Sequence, residues 1–263
     1  MSRVKVAFFD VDHTLTTSGS MSRLLAYYHA ALGHPRREFD DRMCELKAMT
    51  AVGCPREAVN RAYYAGLEGL DAEVMAAMAG AWFDAERATG RFYHEPAVAA
   101  LRRHQERGAH IALVSGSFPA PLRLIAADLG ADELLCTEPR VERGRYTGKL
   151  DGPPMIGTAK ADAALKVLLQ RGVPARDSIA YGDDISDLPL LRAAGSGVVV
   201  GGDRRLRTLA GAEGWTLLPG TPPAPDLRLP AWSAPARSSP WTARGRTAQP
   251  VVTSARYDMS ESA

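Results

Sequence analysis

The chain has 263 residues, a formal net charge of +2 and a hydrophobic content of 46%, which suits a globular protein with one core and an inserted module. Its nearly balanced charge argues against a strongly polyanionic partner such as nucleic acid. No apolar run approaches the roughly 20 residues needed to cross a bilayer, and the N-terminus lacks the pattern of a signal peptide. Three scattered cysteines predict reduced thiols. We expect a cytoplasmic protein with no membrane or nucleic-acid partner.

The first predicted strand covers residues 4–9, a short run rich in β-branched and aromatic side chains. Asp10 and Asp12 follow it directly. Because side chains two apart in an extended chain point to the same side, both carboxylates are expected to face one small volume. In an open α/β sheet this end of the strand is where ligands bind. A cation or a shared proton would relieve the repulsion between the two acids.

Helical periodicity dominates residues 17–93, where no convincing strand is found. Pro55 suits the first turn of a helix, and Asp71 suits an N-cap. The predicted helices cover residues 21–32, 36–49, 55–67 and 71–89. This region therefore predicts a helical bundle inserted between two strands.

Strands and helices alternate over residues 94–218, which is typical of a doubly wound parallel α/β sheet of Rossmann-like type. Predicted strands lie at residues 111–114, 134–136, 178–181 and 197–200, and a hairpin is predicted at 140–149. Residues 1–16 and 94–218 are therefore expected to form the α/β core. Residues 219–263 contain eight of the eighteen prolines and no apolar period, so they are predicted to be a disordered tail.

Polar residues also follow two later strands. Ser115 and Gly116 come between a strand and a helix, where a hydroxyl and a backbone amide can hold phosphate oxygens. Lys160, near the start of its helix, offers a point charge to the same oxygens. Asp183 and Asp187 follow another strand and, with the first acid of the chain's opening strand, predict a hard-oxygen site for Mg²⁺.

Together these residues provide what hydrolysis of a phosphate monoester requires: a nucleophile, a cation, fixed donors and an acid for the leaving alcohol. Asp10 is the predicted nucleophile and would form an aspartyl-phosphate. Asp12 would protonate the leaving oxygen and then deprotonate water, which is easier if its pKa lies above the ordinary ~3.9. Each feature alone is common in turns and helix caps. Their ordered occurrence at strand ends favours catalysis.

This series of motifs resembles the haloacid dehalogenase superfamily over roughly residues 4–218. The helical insert after the first motif is similar to the type I cap of subfamily IB, the branch that contains phosphoserine phosphatase. A second Asp in the first motif implies a phosphatase-type member. The matching residues, in chain order, are Asp10-x-Asp12-x-Thr14, Ser115-Gly116-Ser117, Lys160 and Gly182-Asp183-Asp184-x-x-Asp187.

The resemblance also implies individual roles. Asp10 would be both nucleophile and Mg²⁺ ligand, and Asp12 the acid and base. The implied phosphate binders are Ser115, Gly116 and Lys160. The implied metal site comprises Asp10, the Val11 carbonyl, Asp12, Asp183 as a direct ligand and Asp187 through metal-bound water.

The chain departs from its relatives at three places. Phosphoserine phosphatases carry a Glu soon after the first motif to hold the substrate's ammonium, whereas residues 17–20 contain no acid; this argues against phosphoserine. His13 is expected to lie on the surface, and Asp184 adds a charge without an assigned role. Selectivity is expected to come from side chains of the insert, with Tyr27, Arg56, Tyr63 and Tyr64 as candidates.

Three alternative functions fit the sequence less well. A receiver-type signalling domain uses an adjacent acidic pair and lacks a helical cap of this size. A P-loop at residues 152–160 lacks the Lys-Ser/Thr pair after its last glycine. A non-catalytic phosphate binder is at odds with four intact motifs. The sequence thus predicts a Mg²⁺-dependent phosphomonoesterase for a small phosphorylated metabolite, and leaves the metabolite and the oligomeric state open.

Overall fold

A computed structural model describes residues 4–202, 204–227 and 229–230 of the chain. Its centre is a six-stranded sheet, formed in spatial order by residues 133–136, 110–115, 6–9, 178–182, 197–200 and 216–218, in which all neighbouring strands are parallel. This confirms the predicted doubly wound α/β architecture. The strands are β1 Val6–Phe9, β2 His110–Ser115, β3 Glu133–Cys136, β4 Pro139–Glu142, β5 Arg145–Leu150, β6 Ser178–Gly182, β7 Gly197–Val200 and β8 Thr216–Leu218.

Strand β1 lies in the middle of the sheet, between β2 and β6. Its four residues are buried, as expected for a strand covered on both faces. Phe9 pairs with Leu113 on one side and with Tyr181 on the other. The acids that follow β1 and β6 therefore leave the same edge of the sheet at adjacent positions. The edge strand β8 was not predicted, because three residues are too few to show a period.

Four helices lie between β1 and α5, in the region predicted to be helical. We call residues 20–88, which carry these helices, the helical insert. Asp71 caps α4 as predicted, since its carboxylate accepts hydrogen bonds from the amides of Glu73 (3.0 Å) and Val74 (3.2 Å). The helices are α1 Ser20–Ala31, α2 Arg36–Ala51, α3 Arg56–Ala65, α4 Ala72–Ala88, α5 Glu95–Glu106, α6 Pro119–Leu129, α7 Thr158–Gln170, α8 Leu188–Ala193 and α9 Arg204–Glu213.

The antiparallel β4–β5 hairpin contacts the helical insert through its backbone. The Gly69 amide donates to the Tyr146 carbonyl (2.8 Å), and the Tyr146 amide donates to the Leu70 carbonyl (2.9 Å). The turn residues Arg143 and Gly144 have φ values of 51° and 75°, as a two-residue hairpin of this hand requires. The hairpin therefore fastens the segment between α3 and α4 to the rest of the chain.

The apolar core lies on both faces of the sheet because the side chains of β1 alternate. Val6 and Phe8 belong to the smaller cluster on one face. Phe9 belongs to the larger cluster, which continues into the helical insert and includes Tyr64 and Trp82. The insert thus shares its core with the sheet. No helix among the described residues is both long and apolar enough to span a bilayer.

The predicted tail is described only in part. Residues 219–227 and 229–230 contain neither helix nor strand. Leu227 nevertheless packs against the larger core cluster, and Arg91 donates to the Pro223 carbonyl at 3.2 Å. Residues 228 and 231–263 lie outside the described part of the chain. The division into core, cap and tail at residues 16, 93 and 218 stays a prediction.

A buried ion pair inside the insert yields a stability prediction. Glu86 is fully buried and accepts from Arg23 Nε (2.5 Å), Arg23 Nη2 (2.7 Å) and Trp82 Nε1 (2.9 Å). We expect Arg23→Met to lower the free energy of unfolding by about 3 kcal/mol, because it leaves a buried carboxylate without its counter-charge. Urea unfolding measures this loss. The double variant R23M/E86Q is expected to recover most of it.

The surface pair between Arg192 and Glu213 (2.8 Å) provides the control, because both side chains are substantially exposed. Arg192→Met is expected to cost less than about 1 kcal/mol. Equal losses for the Arg23 and Arg192 variants would contradict the interpretation of the buried pair.

Candidate active site

A cavity of about 80 Å³ opens at the carboxyl edge of the sheet and is lined on one side by the helical insert. The insert contributes Met21, Arg56 and Asn60 to its wall. The sheet side brings together the predicted catalytic and phosphate-binding residues. These are Asp10, Asp12, Ser115, Gly116, Lys160, Asp183 and Asp187.

Three carboxylates and one ammonium group form the floor of the cavity. Asp10, Asp183 and Asp187 each offer a carboxylate oxygen, and these oxygens lie within 4.8 Å of one another. Lys160 donates from Nζ to Asp10 Oδ1 (2.5 Å) and to Asp187 Oδ1 (2.6 Å). The cluster therefore holds more acidic groups than its single buried cation can neutralise.

The pKa values of the cluster reflect this excess of negative charge. Burial, together with the charges of Asp10 and Asp187, raises the pKa of Asp183 to about 9. Burial also raises the pKa of Asp187. For Lys160, burial opposes the charge, but the two neighbouring carboxylates raise its pKa above the ordinary value. A divalent cation beside these oxygens would favour their ionised forms.

The acids of the cluster are held in different ways. Thr14 Oγ1 donates to Asp183 Oδ1 at 3.1 Å. Asp187 uses Oδ1 for Lys160 and Oδ2 for the amides of Asp183 and Asp184, each at 3.1 Å. Both oxygens of Asp187 thus have protein partners, and Asp187 also fixes the loop that carries Asp183.

The Val11 carbonyl, which the resemblance implies as a metal ligand, lies in the turn after β1. It accepts hydrogen bonds from the amides of Leu15 (2.9 Å) and Thr16 (3.0 Å) and from the Thr16 hydroxyl (3.1 Å). Val11 is also absent from the residues that line the cavity. These bonds hold the carbonyl in the turn after β1, and its role as a metal ligand stays a prediction.

Asp12 lies in the cavity but outside the carboxylate cluster. Its carboxylate accepts from the Ser20 amide (2.9 Å) and the Ser20 hydroxyl (3.2 Å) at the start of α1. These contacts fix the direction of the Asp12 carboxylate, and the place of Asp12 in the metal site stays a prediction. Burial raises the pKa of Asp12 despite the bonds from Ser20, so the group suits proton transfer. Ser20 was not singled out from the sequence.

The segment from Ser115 to Ser117 joins β2 to α6. The Ser117 amide donates to Ser115 Oγ at 3.1 Å. A Cβ at Gly116 would lie 3.0 Å from Cγ1 of Ile156, so a larger residue would have to displace the Ile156 side chain. We call Ser115–Gly116–Ser117 the phosphate loop.

The selectivity candidates in the insert take up different positions from those expected. Only Arg56 lines the cavity; Tyr27, Tyr63 and Tyr64 do not. Tyr63 donates to the Met21 carbonyl at 2.8 Å, and Tyr64 donates to the Gly116 carbonyl at 2.9 Å. Asn60, one helical turn before Tyr64, lines the cavity and was missed, since a single Asn in a helical pattern carries no recognisable signal.

Asp184 and His13, which had no assigned role, both line the cavity. Asp184 pairs with Arg56 at 3.6 Å and caps the turn that follows it by accepting from the Ser186 amide at 2.9 Å. Although burial opposes ionisation, the Arg56 charge and the Ser186 bonds lower the pKa of Asp184. His13 is exposed, as expected, but it also borders the cavity and has a left-handed φ of 64°.

The parallel sheet, with acids after two adjacent strands and a buried lysine between them, defines an α/β protein with an acidic candidate active site at the carboxyl edge of the sheet. The family model for haloacid dehalogenase-like hydrolases matches residues 7–192. The chain belongs to this family, as the resemblance predicted.

Relatives and solved structures agree with this assignment. The chain is 36% identical over 137 residues to a probable phosphatase of Mycobacterium tuberculosis, covering 52% of this chain and 47% of that protein; it thus spans about half the length of that relative. It is 26% identical over 219 residues to a phosphoserine phosphatase of the same organism, covering 80% of this chain and 69% of that protein.

The fold is shared with solved structures. A protein of unknown function from Bordetella pertussis superposes with a TM-score of 0.72 at 27% identity, covering 83% of this chain and 99% of that one. A substrate-bound phosphoserine phosphatase superposes with a TM-score of 0.63 at 19% identity, covering 83% and 94% of the two chains. The second likeness concerns the fold alone.

Proposed function

We propose that the protein is a Mg²⁺-dependent phosphomonoesterase that hydrolyses a small phosphorylated metabolite in the cytoplasm through an aspartyl-phosphate. One observation carries the proposal. Asp10 lies 2.5 Å from the buried Lys160 ammonium, in one small cavity with Asp12, Ser115 and Asp183. A nucleophile, a proton donor, a phosphate cradle and an acidic cation site thus share a single volume.

The residues divide the reaction into two displacements. The Ser115 hydroxyl, the Gly116 amide and the Lys160 ammonium bind the phosphate oxygens. Asp10 attacks phosphorus, the bond from phosphorus to the alcohol oxygen breaks, and Asp12 gives its proton to that oxygen. Asp12 then takes a proton from water, which attacks phosphorus and releases inorganic phosphate and the Asp10 carboxylate.

The carboxylate cluster fits a magnesium ion, because its donors are hard oxygens and its acids outnumber the buried lysine. Asp10 and Asp183 would hold the ion, while Asp187 holds Lys160 and the Asp183 loop. When bound, Mg²⁺ supplies positive charge that shields the phosphate from the acids.

The size of the cavity supports a small substrate. Its volume of about 80 Å³ corresponds to roughly six water-sized groups at about 10–15 Å³ each, which suits a phosphoryl group with a small alcohol. The relatives are named as phosphatases, and one of them as a phosphoserine phosphatase. Residues 17–20 of this chain still provide no acid for a substrate ammonium group, so we leave the alcohol part of the substrate general.

The proposal is tested by steady-state hydrolysis of an aryl phosphate with Mg²⁺, with EDTA, and with Mg²⁺ added back. We expect turnover to fall to background in EDTA and to return with Mg²⁺, because the acidic cluster repels the phosphate without a cation. Circular dichroism of the EDTA-treated protein controls for unfolding. Turnover that persists unchanged in EDTA would overturn the metal requirement.

A further inference from the structure

Three hydrogen-bond donors converge on one carbonyl of the phosphate loop. Asn60 Nδ2 (3.0 Å), the Tyr64 hydroxyl (2.9 Å) and the Thr137 hydroxyl (3.0 Å) all donate to the Gly116 oxygen. A carbonyl oxygen has two lone pairs, so three donors saturate it. Two of the three come from α3 of the helical insert, more than fifty positions earlier in the chain.

The saturated carbonyl determines how the rest of the loop is turned. In a planar trans peptide the carbonyl of Gly116 and the amide of Ser117 point in opposite directions. With the carbonyl held towards α3, the Ser117 amide points the other way and donates to Ser115 Oγ at 3.1 Å. Since Ser115 Oγ accepts this bond, its own proton remains available for a phosphate oxygen.

Asn60 makes its hydrogen bond to Gly116 at the expense of folding stability. Its side chain is buried, and its Oδ1 has no hydrogen-bond partner among the residues that the structure describes. A buried acceptor without a partner is destabilising. Reversing the amide would place Oδ1 against the Gly116 oxygen, two acceptors in contact. Stability alone would favour an apolar residue at position 60. We therefore attribute the presence of Asn to the hydrogen bond that its Nδ2 donates to Gly116.

Tyr64 is a donor under all ordinary conditions. Its side chain is fully buried, and burial raises the pKa of its hydroxyl well above the usual 10. Its neighbour Tyr63 is also buried and also donates to a backbone carbonyl, that of Met21, within the insert. Two adjacent tyrosines on one helix thus make the same type of bond, and only one of them reaches the phosphate loop.

We propose that Asn60 and Tyr64 are positioning residues that clamp the Gly116 carbonyl and so hold the phosphate loop ready to bind the phosphoryl group. The helical insert thereby acts on the chemistry through the loop and not only as a wall of the cavity. The inference rests on the proposed phosphomonoesterase function.

Two single variants test the clamp, with Tyr63→Phe as the matched control. Tyr64→Phe and Asn60→Leu are each expected to raise the inhibition constant of inorganic phosphate and to lower kcat/KM by about tenfold. The loss is the same for substrates with good and poor leaving alcohols, because the loop contacts only the phosphoryl group. Tyr63→Phe is expected to change both quantities less than twofold.

Melting temperatures separate positioning from a structural role. Asn60→Leu removes an unpaired buried acceptor, so its melting temperature is expected to equal or exceed that of the wild type while phosphate binding weakens. Tyr64→Phe and Tyr63→Phe are expected to lose similar stability. If Tyr64→Phe and Tyr63→Phe raise the phosphate inhibition constant equally, or if Asn60→Leu leaves it unchanged, the clamp is refuted.

The failure of this inference differs from a failure of the proposed function. Absence of Mg²⁺-dependent turnover in the wild type would refute the function, and calorimetric titration with inorganic phosphate would still compare the variants. Normal wild-type turnover with unchanged phosphate binding in Asn60→Leu would refute the clamp alone.

Discussion

Asp10→Asn is expected to lower kcat for an aryl phosphate by about 10⁴-fold or more, the scale of loss when a covalent nucleophile is removed. The amide has nearly the shape of the carboxylate but is a poor nucleophile towards phosphorus. The variant should still fold, because Lys160 retains Asp187 as a partner at 2.6 Å.

Acid quenching during turnover, followed by intact-protein mass spectrometry, checks the covalent step. The wild type should show a phosphoryl adduct that maps to Asp10, and the variant should show none. Asp184→Asn is the matched control, since it removes one negative charge from the same cavity without touching the proposed nucleophile; we expect a loss of less than about tenfold. Similar losses in the two variants would contradict the assignment of the nucleophile.

Lys160→Met is expected to lower the free energy of unfolding by about 3–5 kcal/mol in the absence of Mg²⁺. Lys160 is 3% exposed, and its removal leaves three neighbouring carboxylates without a protein cation. Mg²⁺ should raise the melting temperature of this variant more than that of the wild type, because a ligand that binds only the folded state stabilises it. The ion would then be the main source of positive charge.

Urea unfolding with and without Mg²⁺ measures both effects. Lys166→Met on the exposed side of the same helix α7 is the control, with an expected change of less than about 0.5 kcal/mol. A Lys160 variant that is as stable as the Lys166 variant and unaffected by Mg²⁺ would contradict this prediction. It would show that the stability of the carboxylate cluster does not depend on a positive charge.

The sequence by itself determined the fold class and the chemical inventory of the site. Strand periods, the Asp71 cap and the acids at strand ends are local patterns, and short-range sterics and hydrogen bonding specify them. Parallel pairing of β1 and β6 then brings Asp10 beside Asp183, because both follow strands whose carboxyl ends meet at one edge. The family match followed from the same local motifs.

The hydrogen-bond and ion-pair partners of these motifs depend on the tertiary structure. Nothing in the sequence around Tyr63 and Tyr64 distinguishes the hydroxyl that stays in the insert from the one that holds Gly116. The pairing of Asp184 with Arg56, the bonds from Ser20 to Asp12 and the bonds that the Val11 carbonyl accepts within its own turn were equally unpredicted. Helix rotation and side-chain direction depend on packing between segments far apart in the chain, and no local pattern records that packing.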